Sequence, residues 1–258
     1  MLHLTAYRFI RLQDLPALKA RILDLARNLG LMGTVLLAEE GVNIQVSGTE
    51  DAISSFKDFC RENFPGVEDA FKVAQVPKHV FPRFLVRIKK EIISLGIPDV
   101  RPDQFTGPRI QAQELKKWLD EGRPVTLLDT RNEYEVRVGT FRGAESFSID
   151  SFREFGAKAK QIAQDPRFQD RPVVSFCTGG IRCEKASALL IQMGLKDVYQ
   201  LDGGIIRYFE EVGAEHFEGS CFVFDGREAV DGDLNPVPRS DQPDEQFGRY
   251  KRSLNWVG

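Results

Sequence analysis

Val173-Val-Ser-Phe-Cys-Thr-Gly-Gly-Ile-Arg-Cys-Glu-Lys-Ala186 decides how the second half of this chain folds. Val173 to Phe176 is a short apolar and small-residue run, the pattern of a buried parallel strand. From Cys183 to Met193 the positions Ala186, Leu189, Leu190 and Met193 follow helical spacing. Between them Cys177, Thr178, Gly179, Gly180, Ile181 and Arg182 form a tight loop that ends at a helix N-terminus. Free backbone N–H groups and the positive end of the helix dipole converge on such a loop. The two glycines permit the angles that curl those N–H groups inward. Arg182 adds a permanent positive charge, with Lys185 close by in sequence. Cys177 is thus placed where the thiolate is the favoured form, which suits a nucleophile. Burial as a small hydrophobe is the plainer explanation for a cysteine after an apolar strand. The Gly-Gly pair, the arginine and the helix behind it favour chemistry. Cys183 stays open between resolving a disulfide or persulfide on Cys177 and simply occupying the first helical turn.

Only four residues separate Cys177 from Arg182. Cysteine-dependent phosphatases space the pair by five, because their loop wraps a tetrahedral phosphate. The shorter loop encloses a smaller volume, suited to one extra sulfur on the cysteine. At this point the chain resembles the rhodanese superfamily, whose loop carries a cysteine persulfide. Leu127-Leu-Asp-Thr-Arg-Asn-Glu-Tyr-Glu135, Gly139-Thr-Phe-Arg-Gly-Ala144 and Leu201-Asp-Gly-Gly204 resemble its other motifs, in the expected order. Asp129 and Arg131 then stand at the carboxyl edge of a parallel sheet, where α/β sites lie. Asp129 reads as structural, tying the loop beneath the cysteine, more readily than as catalytic.

The 258 residues suggest about two domains. With 42% hydrophobic and 28% charged residues, there is ample material for a core. A net charge of −3 means that any basic site must be local. Four cysteines (Cys60, Cys177, Cys183, Cys221) and three histidines offer no zinc-ligand spacing, so no metal is expected. No export signal or membrane-length apolar run is present, and a cytoplasmic, reducing compartment fits.

The alternation predicts strands at His3–Ile10, Thr34–Ala38, Gly41–Val46, Phe71–Val76 and Phe84–Ile88. Helices are expected after Asp14, stopped by Gly30, and from Thr49 to Cys60. The order β-α-β-β-α-β is the ferredoxin-like arrangement, over residues 1–97. Ala38-Glu-Glu-Gly-Val-Asn-Ile-Gln45 reads as a hairpin turn with a polar patch. Lys78, Arg83, Arg87, Lys89 and Lys90 interleave with Phe81 and Phe84, a pattern suited to RNA but also to a solvated strand face. A Pro/Gly-rich linker is expected over 98–108. A parallel-sheet α/β domain follows over 109–213, with helices at Ala112–Glu121 and Ser151–Ile162 and a last helix ending near Gly213. A short extension over 214–258 contains the strand-like run Cys221–Asp225, a turn at Gly226 and a Pro-rich tail. That tail is expected on the surface or mobile, with Tyr250 and Trp256 as apolar anchors.

Taken together, Leu36-Leu-Ala-Glu-Glu-Gly-Val-Asn-Ile-Gln45, Val86-Arg-Ile-Lys-Lys-Glu-Ile-Ile93, the Cys177–Lys185 loop and Gly219-Ser-Cys-Phe-Val-Phe-Asp225 resemble the rhodanese-related tRNA uridine hydroxylase family. The resemblance covers roughly residues 1–230. It implies oxygen-dependent hydroxylation of the wobble uridine, with molecular oxygen as co-substrate, tRNA as partner and Cys177 in a nucleophilic or persulfide role. It also favours tRNA contact at the basic strand. Longer bacterial members carry a cysteine-rich segment beyond this run, whereas no cysteine follows Cys221 here. The residues themselves show no dinucleotide fingerprint or haem motif, so no bound cofactor is evident. A sulfurtransferase drawing on a sulfur donor through a Cys177 persulfide is the alternative. A binding module with a vestigial rhodanese domain fits least, because Cys177 and Arg182 are intact.

Overall fold

The first strand, β1 (Leu2–Phe9), runs into a turn where Asp14 accepts a hydrogen bond from the Ala17 amide and opens α1 (Leu15–Leu29). Gly30 closes that helix in the left-handed conformation. β2 (Met32–Ala38) and β3 (Gly41–Gly48) then form a hairpin through Glu39-Glu40, with Ala38 opposite Gly41. Thr49 caps α2 (Glu50–Asn63) by accepting from the Ala52 amide. β4 (Lys72–Gln75) and β5 (Phe84–Ile88) complete a five-stranded sheet in the order β4-β1-β3-β2-β5. The first four strands have the ferredoxin-like order, all antiparallel, and β5 adds a parallel edge strand beside β2. Leu4, Val35, Leu37, Val42, Ile44 and Val46 meet Ile22, Ile53 and Phe56 in one core.

This computed structural model describes residues 1–225 and 227–237, and the chain divides between Ser94 and Leu95 into two compact units. The expectations for Gly226 and for the tail beyond residue 237, Tyr250 and Trp256 included, lie outside the described residues. In the second unit, β6 (Arg109–Ile110), α3 (Ala112–Asp120), β7 (Thr126–Asp129), α4 (Glu133–Val136) and β8 (Gly139–Phe141) come first. They are followed by α5 (Phe155–Gln164), β9 (Val173–Phe176), α6 (Ile181–Gln192), β10 (Val198–Leu201) and α7 (Gly204–Val212). A four-stranded parallel sheet has the order β6-β10-β9-β7, which puts Val173–Phe176 in its interior. A strand buried on both faces needs apolar or internally satisfied side chains: β9 is Val-Val-Ser-Phe, and its one polar group, the Ser175 hydroxyl, donates to the Tyr199 carbonyl at 3.0 Å.

Four features depart from the sequence reading. The segment from Ser151 opens as a 3-10 turn at Phe152–Glu154 before α5 begins. The four-residue helix α4 was not expected; Glu135 accepts a bond from the Asn132 amide (3.1 Å) and so ties its first turn. β11 (Phe217–Gly219) pairs antiparallel with β8, a contact between distant segments that local patterns do not announce. Phe141 at that junction is fully buried with its ring 4.9 Å from Phe176, 4.8 Å from Tyr208 and 5.3 Å from Phe217, all edge-on. Such pairs each add about 0.5–1.5 kcal/mol beyond area burial. The strand-like run after Gly219 is a strand only over β12 (Cys221–Phe222), paired with β13 (Ala229–Val230). Among the described residues no helix is long and apolar enough to cross a membrane.

Candidate active site

β7 and β9 are neighbours and end together, with Asp129 opposite Phe176. The residue after each strand therefore arrives at the same sheet edge. Thr130 donates to the Phe176 carbonyl from both its amide (3.0 Å) and its hydroxyl (2.9 Å). Cys177 leaves the end of β9, and its loop returns to the chain at α6. Gly180 is the N-cap of α6 at φ +98°, a conformation glycine adopts without strain. That geometry turns the Gly180 amide onto the cysteine, where it donates to Sγ at 3.1 Å.

α7 supports the loop from the other side. The amides of Ile205 and Ile206 donate to the carbonyls of Cys177 (3.0 Å) and Thr178 (3.2 Å). Gly204 makes that approach possible: a Cβ there would lie 2.4 Å from the Cys177 carbonyl oxygen and 2.8 Å from that of Thr178, at φ +68°. Gly204→Ala is therefore expected to push α7 off the loop, with a loss of about 1–3 kcal/mol from strain alone. Thermal unfolding with and without the substitution checks this, and an unchanged midpoint would contradict the packing.

Cys177 is 1% exposed, so its charge state is set by the protein rather than by water. Burial pushes the Cys177 thiol up. The hydrogen bond from Cys183, the Arg182 charge and the amides of Arg182 and Gly180 outweigh burial and hold it well below the ordinary thiol range. Cys183 moves the opposite way: burial and the neighbouring Cys177 sulfur keep its proton in place well above that range. These opposed directions favour the thiolate on Cys177 and the thiol on Cys183. The thiolate absorbance of the native protein should accordingly persist as pH falls below the usual cysteine value of about 8.5 and vanish only at a distinctly lower pH. An ordinary thiol would lose it on crossing that value. A midpoint at the ordinary value would refute the assignment.

Arg182 does not act as an isolated cation. Its guanidinium forms a two-pronged pair with Glu135, Nη1 to Oε2 at 2.6 Å and Nη2 to Oε1 at 2.7 Å, with both groups buried. The Thr178 hydroxyl lies between the Glu135 carboxylate (3.3 Å) and the Phe222 carbonyl (3.2 Å). Below this pair sits a second one. Arg131 grips Asp129 through Nε and Nη2, with no side-chain exposure on either residue, and reaches the Gly139 carbonyl at 2.6 Å. Asp129 also accepts from the Thr140 hydroxyl at 2.8 Å. Asp129 and Arg131 thus tie β7 to β8, while Thr130, between them in sequence, contacts the cysteine side.

Residues 1–92 match the UPF0176 acylphosphatase like domain, and residues 111–211 match the Rhodanese-like domain. A tRNA uridine(34) hydroxylase from Thiobacillus denitrificans (strain ATCC 25259 / T1) is 45% identical over 245 residues, covering 92% of this chain and 97% of the relative. The chain belongs to the tRNA uridine(34) hydroxylase family. Another relative of that name, from Cupriavidus necator, is 43% identical over 92% of this chain and 85% of its own length. Among solved structures, the rhodanese-like domain of the Anabaena sp. Alr3790 protein is 20% identical over 53% of this chain and 90% of its own, with a TM-score of 0.37, too low to bear on function.

In this member of the tRNA uridine(34) hydroxylase family the loop residues Cys177 to Arg182 come together as their contiguity requires, and Cys183 joins them. Gly179 and Ile181 are the half-buried members of the loop. Lys185 lies fully buried further along α6, a helix buried from Arg182 to Leu190; the charge acting on Cys177 comes from Arg182. Lys78, Arg83, Lys89 and Lys90 are exposed and Arg87 is half-buried, flanking or within the edge strand β5. Sequence reasoning missed the partner of Arg182, although Glu135 closes the Asp129–Glu135 motif. It also missed an aromatic group beside the loop. The Phe224 ring lies 5.8 Å from the Arg182 guanidinium, Phe222 is 5.2 Å from Phe224, and Tyr134 is 5.3 Å from Phe222. Phe222 is buried, whereas Tyr134 and Phe224 are half-buried. The signal available was the run Cys221–Asp225, which the sequence marks as a strand without saying what it covers.

Proposed function

We propose that this protein hydroxylates the wobble uridine of tRNA at C5 in an oxygen-dependent reaction, with Cys177 as the reacting thiolate. The observation that carries the reading is the match to tRNA uridine(34) hydroxylase along 92% of this chain and 97% of the relative. The geometry supports a role for Cys177, because a buried sulfur held ionised by an amide and a neighbouring thiol is an activated nucleophile. Tyr134 and Phe224 offer half-buried ring surface beside the loop, where a pyrimidine can stack; such contacts contribute about 1–3 kcal/mol per base. The work belongs in the cytoplasm, where tRNA is. Mass spectrometry of tRNA nucleosides from cells with and without the gene tests the reading. Loss of the uridine derivative heavier by one oxygen is expected, and an unchanged nucleoside profile refutes it.

Lys78, Arg83, Arg87, Lys89 and Lys90 are assigned to tRNA phosphates. Replacing Lys89 and Lys90 together by Gln should weaken tRNA binding and flatten its dependence on salt by about one unit of slope per lost contact. An unchanged slope would remove these residues from the interface.

Thiosulfate sulfurtransfer is the second reading, and one contact counts against it. A dianion approaching the loop meets Arg182 already neutralised by Glu135 at 2.6 and 2.7 Å. Little thiosulfate-to-cyanide turnover is expected.

A further inference from the structure

Inserting one atom of molecular oxygen into a C5–H bond sends the other atom to water. That requires two electrons and two protons beyond those of the uracil. We propose that Cys177 and Cys183 together supply the two electrons, closing to a disulfide in each turnover. This rests on the hydroxylase reading and names a source of reducing equivalents for it. The balance is uracil C5–H, O2, the Cys177 thiolate, the Cys183 thiol and one solvent proton, giving C5–OH, water and the Cys177–Cys183 disulfide. The C5–O and S–S bonds form, while the C–H, O–O and S–H bonds break. Oxygen takes four electrons in all, two from the C–H bond and two from the sulfurs. A small dithiol then reopens the disulfide by exchange and readies the pair for another cycle.

Geometry carries the proposal. Both cysteines are buried and are held by the same short stretch of chain: the Gly180 amide donates to the Cys177 sulfur at 3.1 Å, while the Gly180 carbonyl accepts from the Cys183 amide at 3.0 Å. The Thr130 hydroxyl, bonded to the carbonyl of Phe176 just before Cys177, lies 3.8 Å from the Cys183 sulfur and so brings it to the foot of the loop. A disulfide needs its sulfurs about 2.05 Å apart, so closing the bond requires the loop between the two cysteines to shift. Gly179 and Gly180 between the two cysteines supply the backbone freedom for that shift. The opposed directions of the two groups match the balance: Arg182 and the loop amides draw Cys177 below the ordinary thiol range, and burial beside it pushes Cys183 above. The other two cysteines are placed differently. Cys60 lies in the core of the first unit, and the Cys221 thiol turns to the Phe222 carbonyl at 3.5 Å. Another cluster, Asp120, Glu215 and His216, has metal-ligand spacing, but the Lys116 ammonium already sits 2.7 Å from Asp120 and 2.6 Å from Glu215.

The test is a single-turnover experiment on the full chain. Protein reduced with dithiothreitol and freed of it is mixed, in air-saturated buffer, with tRNA from cells lacking the protein. One hydroxyuridine per protein is expected, together with an equal amount of Cys177–Cys183 disulfide by peptide mass spectrometry. Adding dithiothreitol should restore continuous turnover. Cys183→Ser keeps a hydrogen-bond donor but cannot be oxidised; it should retain the thiolate absorbance of Cys177 and lose more than about tenfold in product yield. Cys60→Ala should behave as the parent. Product formed without stoichiometric disulfide, or Cys183→Ser matching the parent, overturns the proposal while leaving the hydroxylase reading intact. Absence of product from the reduced parent protein, dithiothreitol present, overturns both. Disulfide mapping on the parent stands even where Cys183→Ser does not fold.

Discussion

Cells in which Cys177→Ala replaces the parent protein should contain no more 5-hydroxyuridine in their tRNA than cells lacking the protein altogether. The expected loss is large because nothing else in the loop can take over. Cys183 holds its proton, and Cys221 is pushed up to about 12 by burial. Removing a nucleophile that works as one unit with its surroundings costs on the order of a thousandfold or more in rate. Cys177→Ser should be almost as inactive, since a hydroxyl in the same place stays protonated where the thiol ionises. Both variants should fold. The Gly180 amide loses an acceptor, but the carbonyls of residues 177 and 178 still receive the Ile205 and Ile206 amides. Purified Cys177→Ala with normal thermal stability and parental hydroxyuridine levels would end the case for this sulfur.

How much of this was legible depends on how local each cause is. The caps of α1 and α2 could be read directly, because Asp14 and Thr49 bond to amides three residues on. The cysteine loop could be read for the same reason: strand, glycines and helix are contiguous, and backbone geometry follows from them. The fifth strand of the first sheet adds to the ferredoxin-like set without disturbing it. What stayed hidden was fixed across long stretches of chain. Arg182 meets Glu135 over 47 residues, and Thr178 meets Phe222 over 44. A sequence shows that both charges exist but not that they neutralise each other. Lys185 makes the same point: next to the loop in sequence, it is carried into the interior by a helix buried on every side.

That long-range pair yields the other large effect. Glu135→Gln keeps the shape of the side chain and removes its charge, leaving the Arg182 guanidinium buried without its counter-ion. Breaking a buried pair by removing one partner costs about 3–5 kcal/mol. For a protein of this size, that corresponds to a fall of roughly 6–20 °C in the unfolding midpoint. The double variant Glu135→Leu with Arg182→Met should recover most of that stability, since two well-packed apolar groups bury no charge. Function should split from stability in these proteins. In Glu135→Gln the charge that offsets Arg182 is gone while Arg182 remains, so the thiolate absorbance should persist to still lower pH than in the parent. In the double variant the positive charge is gone too, and the Cys177 midpoint should rise. Thiosulfate should bind Glu135→Gln better than the parent, because Arg182 then faces the loop without a competing carboxylate. If Glu135→Gln unfolds at the parental midpoint and leaves the Cys177 titration where it was, the carboxylate is not what sets the charge of this loop.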